Sequence, residues 1–249
     1  KLDFGIDNKD NLDKTFLLIY FAILSGFSGV DILPEKQILK IALEAIKKAK
    51  QKAIELNIEI NPNPLLFSSL GMNLFSNLEN DQLLDKIEFL RNDAVDAIDL
   101  HFNEIDFLSN IKKVDLICNI FKDKIISVNL SRKKLSNIHM IDLLKTCFGY
   151  TKNNLVIEVE GLRSKENNFN DILQTISTAD IINKQFINSS PRYKKIPIIF
   201  GDCSNRDIEN LALKCDVPFN GISFFYHGIS RFFKNNYSYS NDEKTIIQK

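Results

Sequence analysis

Two rhythms of apolar and polar residues take turns along this chain. Short runs with apolar residues at every second position predict strands, and longer stretches with apolar residues three and four apart predict amphipathic helices. The runs Lys1–Ile6, Val30–Leu33, Ile58–Asn61, Ala94–Phe102, Ile125–Leu130, Leu155–Glu160, Ile196–Phe200 and Gly221–Tyr226 read as eight strands. Helical patterns fill about residues 11–25, 35–56, 81–92, 104–121, 137–148, 170–186 and 206–214, and a short last helix starts near Ile229. In the second of these, Ile38, Ile41, Leu43, Ile46 and Ala49 recur at helical spacing with lysines between them. Strand and helix repeating in this order predict an α/β protein, a single (β/α)8 barrel of the TIM type.

Breakers set the boundaries. Pro34 suits a helix start, where its missing N–H costs nothing. Pro62-Asn63-Pro64 ends the third strand, and the apolar stretch Leu65 to Met72 beyond it reads as a loop capping the barrel. Phe16 to Leu24 is apolar on every side but stops at Gly26, too short to span a bilayer, and predicts a buried helix. No linker interrupts the pattern. Residues 1–234 read as one barrel and 235–249 as a polar tail.

Composition narrows the functional classes. The 249 residues carry 32 basic and 32 acidic side chains, so bulk charge favours neither a nucleic acid nor an anionic membrane as partner. Cys118, Cys147, Cys203 and Cys215 show no C-x-x-C spacing, which argues against a disulfide framework and for reduced thiols. With no secretory leader pattern, the expected location is the cytoplasm.

The strands nominate the chemistry. In a barrel the outer face meets helices and must be apolar, so polar residues in alternation point inward. That rule nominates Asp99 and His101, then Ser127, Asn129 and Ser131, then Glu158 and Glu160, with Glu59, Asn61 and Asp3 on earlier strands. Charges are rarely buried unless paired, and barrel sites form at the C-terminal ends of strands, so these residues predict a ligand-binding mouth. Asp99, His101, Glu158 and Glu160 offer the atoms of an oxygen-rich divalent site, yet no two fall in a ligand motif, and no metal is assigned. No G-x-S-x-G elbow is present. The loops Gly201-Asp202-Cys203-Ser204-Asn205 and Tyr226-His227-Gly228-Ile229-Ser230-Arg231 follow the last two strands, where barrels often hold phosphate. Gly201 and Gly228 would let backbone N–H groups approach an anion and Arg231 would supply charge, while Asp202 opposes one.

At these loops the chain resembles the light-dependent period protein (LdpA) family of cyanobacteria. Lys1-Leu2-Asp3-Phe4-Gly5 is similar to its opening KLICG, and Gly29-Val30-Asp31-Ile32 to its GVDCIDV. Val95-Asp96-Ala97-Ile98-Asp99-Leu100-His101 resembles VDALEIH, and Glu158-Val159-Glu160-Gly161 stands where the family has QTDG. Phe200-Gly201-Asp202-Cys203-Ser204-Asn205 takes the place of AGGTN, and residues 221–231 parallel GVAYGSYAR. The resemblance implies a non-enzymatic regulatory protein with a clock-associated protein partner, carrying redox or light input to a circadian clock. It also implies iron–sulfur clusters, but the family's cysteine-rich segment has no counterpart, since Asn61 to Asp93 holds no cysteine. The expected protein therefore binds no cofactor. The alternative expectation is a TIM-barrel enzyme or binding protein that takes a small or anionic ligand in the polar mouth.

Overall fold

A computed structural model describes residues 9–71, 78–91, 95–101, 104–130, 135–151, 154–160, 169–203 and 219–224. Helices and strands alternate through them: α1 (Lys9–Leu24), β1 (Gly29–Ile32), α2 (Lys36–Leu56), β2 (Leu65–Leu70), α3 (Asn80–Ile87), β3 (Ala97–His101), α4 (Glu104–Ile120), β4 (Ile125–Leu130), α5 (Asn137–Thr151), β5 (Leu155–Glu160), α6 (Phe169–Gln185), β6 (Ile198–Cys203) and β7 (Gly221–Phe224). The chain is an α/β protein. The expected first strand at Lys1–Ile6, the helix at 206–214, the last helix from Ile229 and the tail at 235–249 lie outside the described residues.

The described residues fall into two compact units, the first made of 9–69 with 86–91 and 95–97, the second of 70–71, 78–85 and those between 98 and 224. In the first unit α1 packs on α2, and β1 pairs in parallel with β2 from Gly29↔Leu65 to Ile32↔Ser68. Phe16 and Tyr20 stack at 5.9 Å on α1, and Lys48 of α2 places its ammonium 5.2 Å from the Phe16 ring. Gly29 allows the close pairing: a Cβ there would lie 2.9 Å from the Leu65 carbonyl oxygen and 3.2 Å from the Phe67 ring. Asp96 clips Leu66 from both sides, its carboxylate accepting from the Leu66 N–H at 2.8 Å and its own N–H donating to the Leu66 carbonyl at 2.8 Å.

One strand differs from the sequence expectation. Residues 58–61 form no strand, and the strand lies instead at Leu65–Leu70, in the stretch read as a capping loop. Pro62 and Pro64 have no N–H to give to a ladder, so pairing starts only beyond them, where the Leu65 N–H donates to the Ser28 carbonyl at 2.9 Å. Leu66, Ser68 and Leu70 then alternate as buried positions, a period that the Ser68-Ser69 pair hides in the sequence. Glu59 and Asn61 therefore leave the candidate site, and Asn61 instead caps a turn, accepting from the Asn63 N–H at 2.9 Å. A smaller shift occurs at β6, which begins at Ile198 because Pro197 cannot donate.

In the second unit β3 to β7 follow one another in chain order, with β4–β5, β5–β6 and β6–β7 parallel. The register puts Val128, Ile157 and Ile198 in one row and Leu130, Val159 and Phe200 in the next, all six buried. This face meets the helices, since α5 packs on β4 and β5 and α6 on β5. The polar loop after α6 makes two short 3-10 turns, and Tyr193 stacks on Phe186 at 4.3 Å and meets Phe148 edge-on at 4.7 Å. Among the described residues no helix is long and apolar enough to cross a membrane.

Glu35 gives the first unit a pH dependence. It stands at the N-cap of α2 without capping it, its Oε2 is buried with no hydrogen-bond partner among the described residues, and burial raises its pKa despite the opposing pull of Lys86. A carboxyl whose folded pKa exceeds its unfolded value stabilises the fold when protonated, and that contribution is lost as pH rises through the folded value. Glu35→Gln is therefore expected to raise stability near neutral pH by less than about 1 kcal/mol, as suits a half-buried group. The gain should shrink toward pH 4, and urea unfolding at the two pH values checks it.

Candidate functional site

The polar face of the second unit is the reverse of its helix-packed face. On β4 and β5 the register places Asn129 opposite Glu158 and Ser127 opposite Val156, one residue out of step with the apolar rows. Parallel partners in register point the same way, so Asn129 and Glu158 share a face, and the backbone of Glu160 pairs with Gly201 of β6. Ser127 and Asn129 are buried at 1% and 4% exposure, so this face is enclosed and not a solvated flank. On β3 the same alternation sets Ile98 and Leu100, both fully buried, against Asp99 and His101.

Asp99 and His101 form the best-defined pair. The His101 Nε2 lies 2.6 Å from Asp99 Oδ2, two residues apart on one strand, with His101 as the strand's C-terminal residue. Asp99 is 3% exposed, and its other oxygen, Oδ1, is buried with no hydrogen-bond partner among the described residues. Leaving a buried acceptor unmade costs about 1–3 kcal/mol, more for a charged one. An acceptor in this position can take a hydrogen bond from water or from the hydroxyl or ammonium group of a ligand. The His101 side chain is 16% exposed, enough to meet a ligand at the strand end.

Glu158 is positioned by a residue that sequence pattern nominated for another reason. A Cβ on Gly201 would run into the Glu158 side chain, 2.6 Å from its Cγ and 2.9 Å from its Cδ. Glu158 therefore lies across the backbone of β6 at Gly201, next to the point where the β6–β7 register shifts between Phe200 and Cys203. Gly201 was nominated as a place where backbone N–H groups could approach an anion; what the structure shows is the Glu158 carboxylate standing where a side chain at 201 would be. Only the three-dimensional approach of β5 to β6 reveals this role, because nothing in the residue order links positions 158 and 201.

The remaining nominees divide simply. Glu160 and Asp202 sit at the C-terminal ends of β5 and β6 by backbone position. Ser131, Gly228 and Arg231 lie outside the described residues, as does Asp3. Of the cysteines, Cys118 and Cys147 face each other between α4 and α5 with their sulfurs 3.8 Å apart, both buried. A cubane cluster needs four thiolates gathered at one place, and a pair enclosed between two helices does not fit that demand.

No family model and no curated protein matches the chain. Solved structures do match. A phospho-2-dehydro-3-deoxyheptonate aldolase of Thermotoga maritima aligns at TM-score 0.52 and 12% identity over 92% of this chain and 63% of its own. An N-acetylneuraminate lyase of Mycoplasma synoviae aligns at TM-score 0.52 and 12% identity over 93% of this chain and 69% of its own. A fructose-bisphosphate aldolase of Campylobacter jejuni aligns at TM-score 0.51 and 8% identity over 86% of this chain and 67% of its own. The chain thus spans less than two thirds of the first of these. The likeness, at such identities, is one of fold: TIM-barrel-like. These scaffolds belong to aldolases and a lyase, which runs against the expectation of a redox- or light-linked clock regulator and corrects it.

Gly201→Ala is expected to displace the Glu158 carboxylate and destabilise the fold by about 1–3 kcal/mol, the usual cost of inserting a methyl into a filled space. Glu158→Ala in the same chain should recover most of the loss, because it removes the group that is struck. A double-mutant cycle by denaturant unfolding checks the coupling. The chain is a TIM-barrel-like α/β protein.

Proposed function

We propose that this protein is a TIM-barrel enzyme that binds a small polar ligand at the C-terminal ends of β3 to β6 and moves a proton with His101. The observation that carries the reading is the Asp99–His101 pair: a strand-end imidazole held at 2.6 Å by a buried carboxylate. An imidazole fixed by a carboxylate is oriented for general acid–base work, and a partly exposed edge lets it reach a ligand. The unpartnered Asp99 Oδ1 accepts a donor from that ligand, while Asn129 and Glu158 line the same face. The fold is proposed to close as an eight-stranded barrel with Lys1–Ile6 as its first strand, and the cytoplasm is its proposed location. The kinship of strand segments with the LdpA family is retained as a proposal about ancestry alone.

The enzymes of similar fold act, by their names, on carbon–carbon bonds, and such chemistry runs either through a lysine imine or through acid–base groups and metals. The seven described strands hold no lysine, so acid–base chemistry is the better supported route here. In this scheme Asp99 both orients the imidazole through Oδ2 and holds the ligand through Oδ1, and His101 moves the proton.

The test is hydrogen exchange. A panel of small 2-oxo acids and hydroxyketones in D2O, followed by proton NMR, should yield at least one compound whose carbon-bound hydrogen exchanges faster with the protein present. His101→Gln should slow that exchange by about 100- to 10,000-fold, the span general acid–base groups contribute. Asp99→Asn should slow it while leaving thermal stability within about 1 kcal/mol, since it removes a buried charge along with a hydrogen bond. Binding without exchange would identify a ligand-binding protein, and exchange indifferent to both substitutions would sink the reading.

An independent expectation concerns cofactors. The protein is proposed to hold no iron–sulfur cluster, because Cys118 and Cys147 are taken up by each other between helices. Anaerobic purification followed by iron and sulfide analysis should show neither in stoichiometric amount.

A further inference from the structure

We propose that Cys118 and Cys147 are a modification site: under oxidation they form a reversible disulfide that ties α4 to α5. The two sulfurs already stand 3.8 Å apart, with Cys118 in the last turn of α4 and Cys147 in the last turns of α5. The S–S bond is about 2.05 Å long, so each sulfur has to travel only about 1 Å. The two helices pack directly on each other, so no long-range movement is needed to bring them together. The proposal is independent of the Asp99–His101 site.

At rest the pair is held as thiols. The shared hydrogen bond with Cys118 is the largest influence pushing the Cys147 thiol well up, followed by burial and by the negative charge of Asp115 one turn before Cys118. Asp115 also raises the phenol of Tyr150 beside it, so its negative charge acts on both groups. The thiolate is the reactive form, so this setting makes the pair slow to react and fully enclosed until the junction opens.

Once one thiolate meets a peroxide, the geometry dictates the product. Its sulfur attacks a peroxide oxygen, the O–O bond breaks, and a sulfenic acid and one water result. The second sulfur then attacks the sulfenic sulfur, the S–O bond breaks, and the S–S bond forms with release of a second water. Two thiols and one hydrogen peroxide thus become one disulfide and two waters, the sulfurs losing two electrons and the peroxide gaining them. A partner sulfur this close intercepts the sulfenic acid before it is oxidised to sulfinic acid.

The test treats the folded chain carrying Cys203→Ser and Cys215→Ser with hydrogen peroxide, so that two thiols remain. The expected result is a loss of two hydrogens from the intact mass, a digest fragment joining Cys118 to Cys147, and full recovery of both thiols with dithiothreitol. Asp115→Asn should speed the reaction several-fold by raising the thiolate fraction. If the double serine variant does not fold, peptide mapping of the oxidised wild-type chain reads the same bridge. Thiols that persist in excess peroxide, sulfinic acid at either cysteine, or bridges to other cysteines or other molecules would overturn the proposal.

Discussion

The constraint on which the second unit rests is the parallel register of β4, β5 and β6. It aligns Val128 with Ile157 and Ile198, and Leu130 with Val159 and Phe200, so that these six apolar residues fall on the face that the helices cover. Side chains on a strand alternate with period two, so a slip of one residue on β5 would turn Glu158 and Glu160 into the helix layer and move Ile157 and Val159 among the polar groups. Burying two carboxylates against α5 and α6 is prohibitive, and that penalty specifies the register. The polar face follows from the same pairing: it consists of the positions the helices cannot accept.

A face built in this way has electrostatic consequences. Among the described residues Asp99 is enclosed and satisfied on one oxygen, by His101, and Glu158 fits because Gly201 has no side chain. These are places where the fold forgoes stability, and such concessions concentrate where a protein binds or reacts. The apolar side of the same strands makes no concession, with Val128, Leu130, Ile157 and Val159 fully buried. The two faces of the same strands therefore differ in kind, one closely packed and the other lined with polar groups.

Much of this was legible in the residue order. Strands at Ile125–Leu130 and Leu155–Glu160 show clean boundaries because each alternates apolar and polar residues between obvious helices. Asp99 and His101 were legible as a pair for the same reason: positions two apart on a strand share a face. The strand at Leu65–Leu70 was not, because its register comes from pairing with Gly29 to Ile32, and an apolar run after two prolines looks the same whether it caps or pairs. Function was misread from short matching segments, whose order along a chain reflects shared strands more readily than shared activity.

The sequence by itself determined the alternation of helix and strand, which residues of each strand go to the helices, and that Asp99 and His101 stand together, because these follow from periods within one element. Tertiary structure alone decided that β2 lies beyond the prolines, that Glu158 occupies the space above Gly201, and that Cys118 meets Cys147 across two helices. Each of these is a contact between distant parts of the chain. Local period carries no information about which strand or helix becomes a neighbour; that depends on the packing of whole elements, where burial of apolar faces outweighs any local preference.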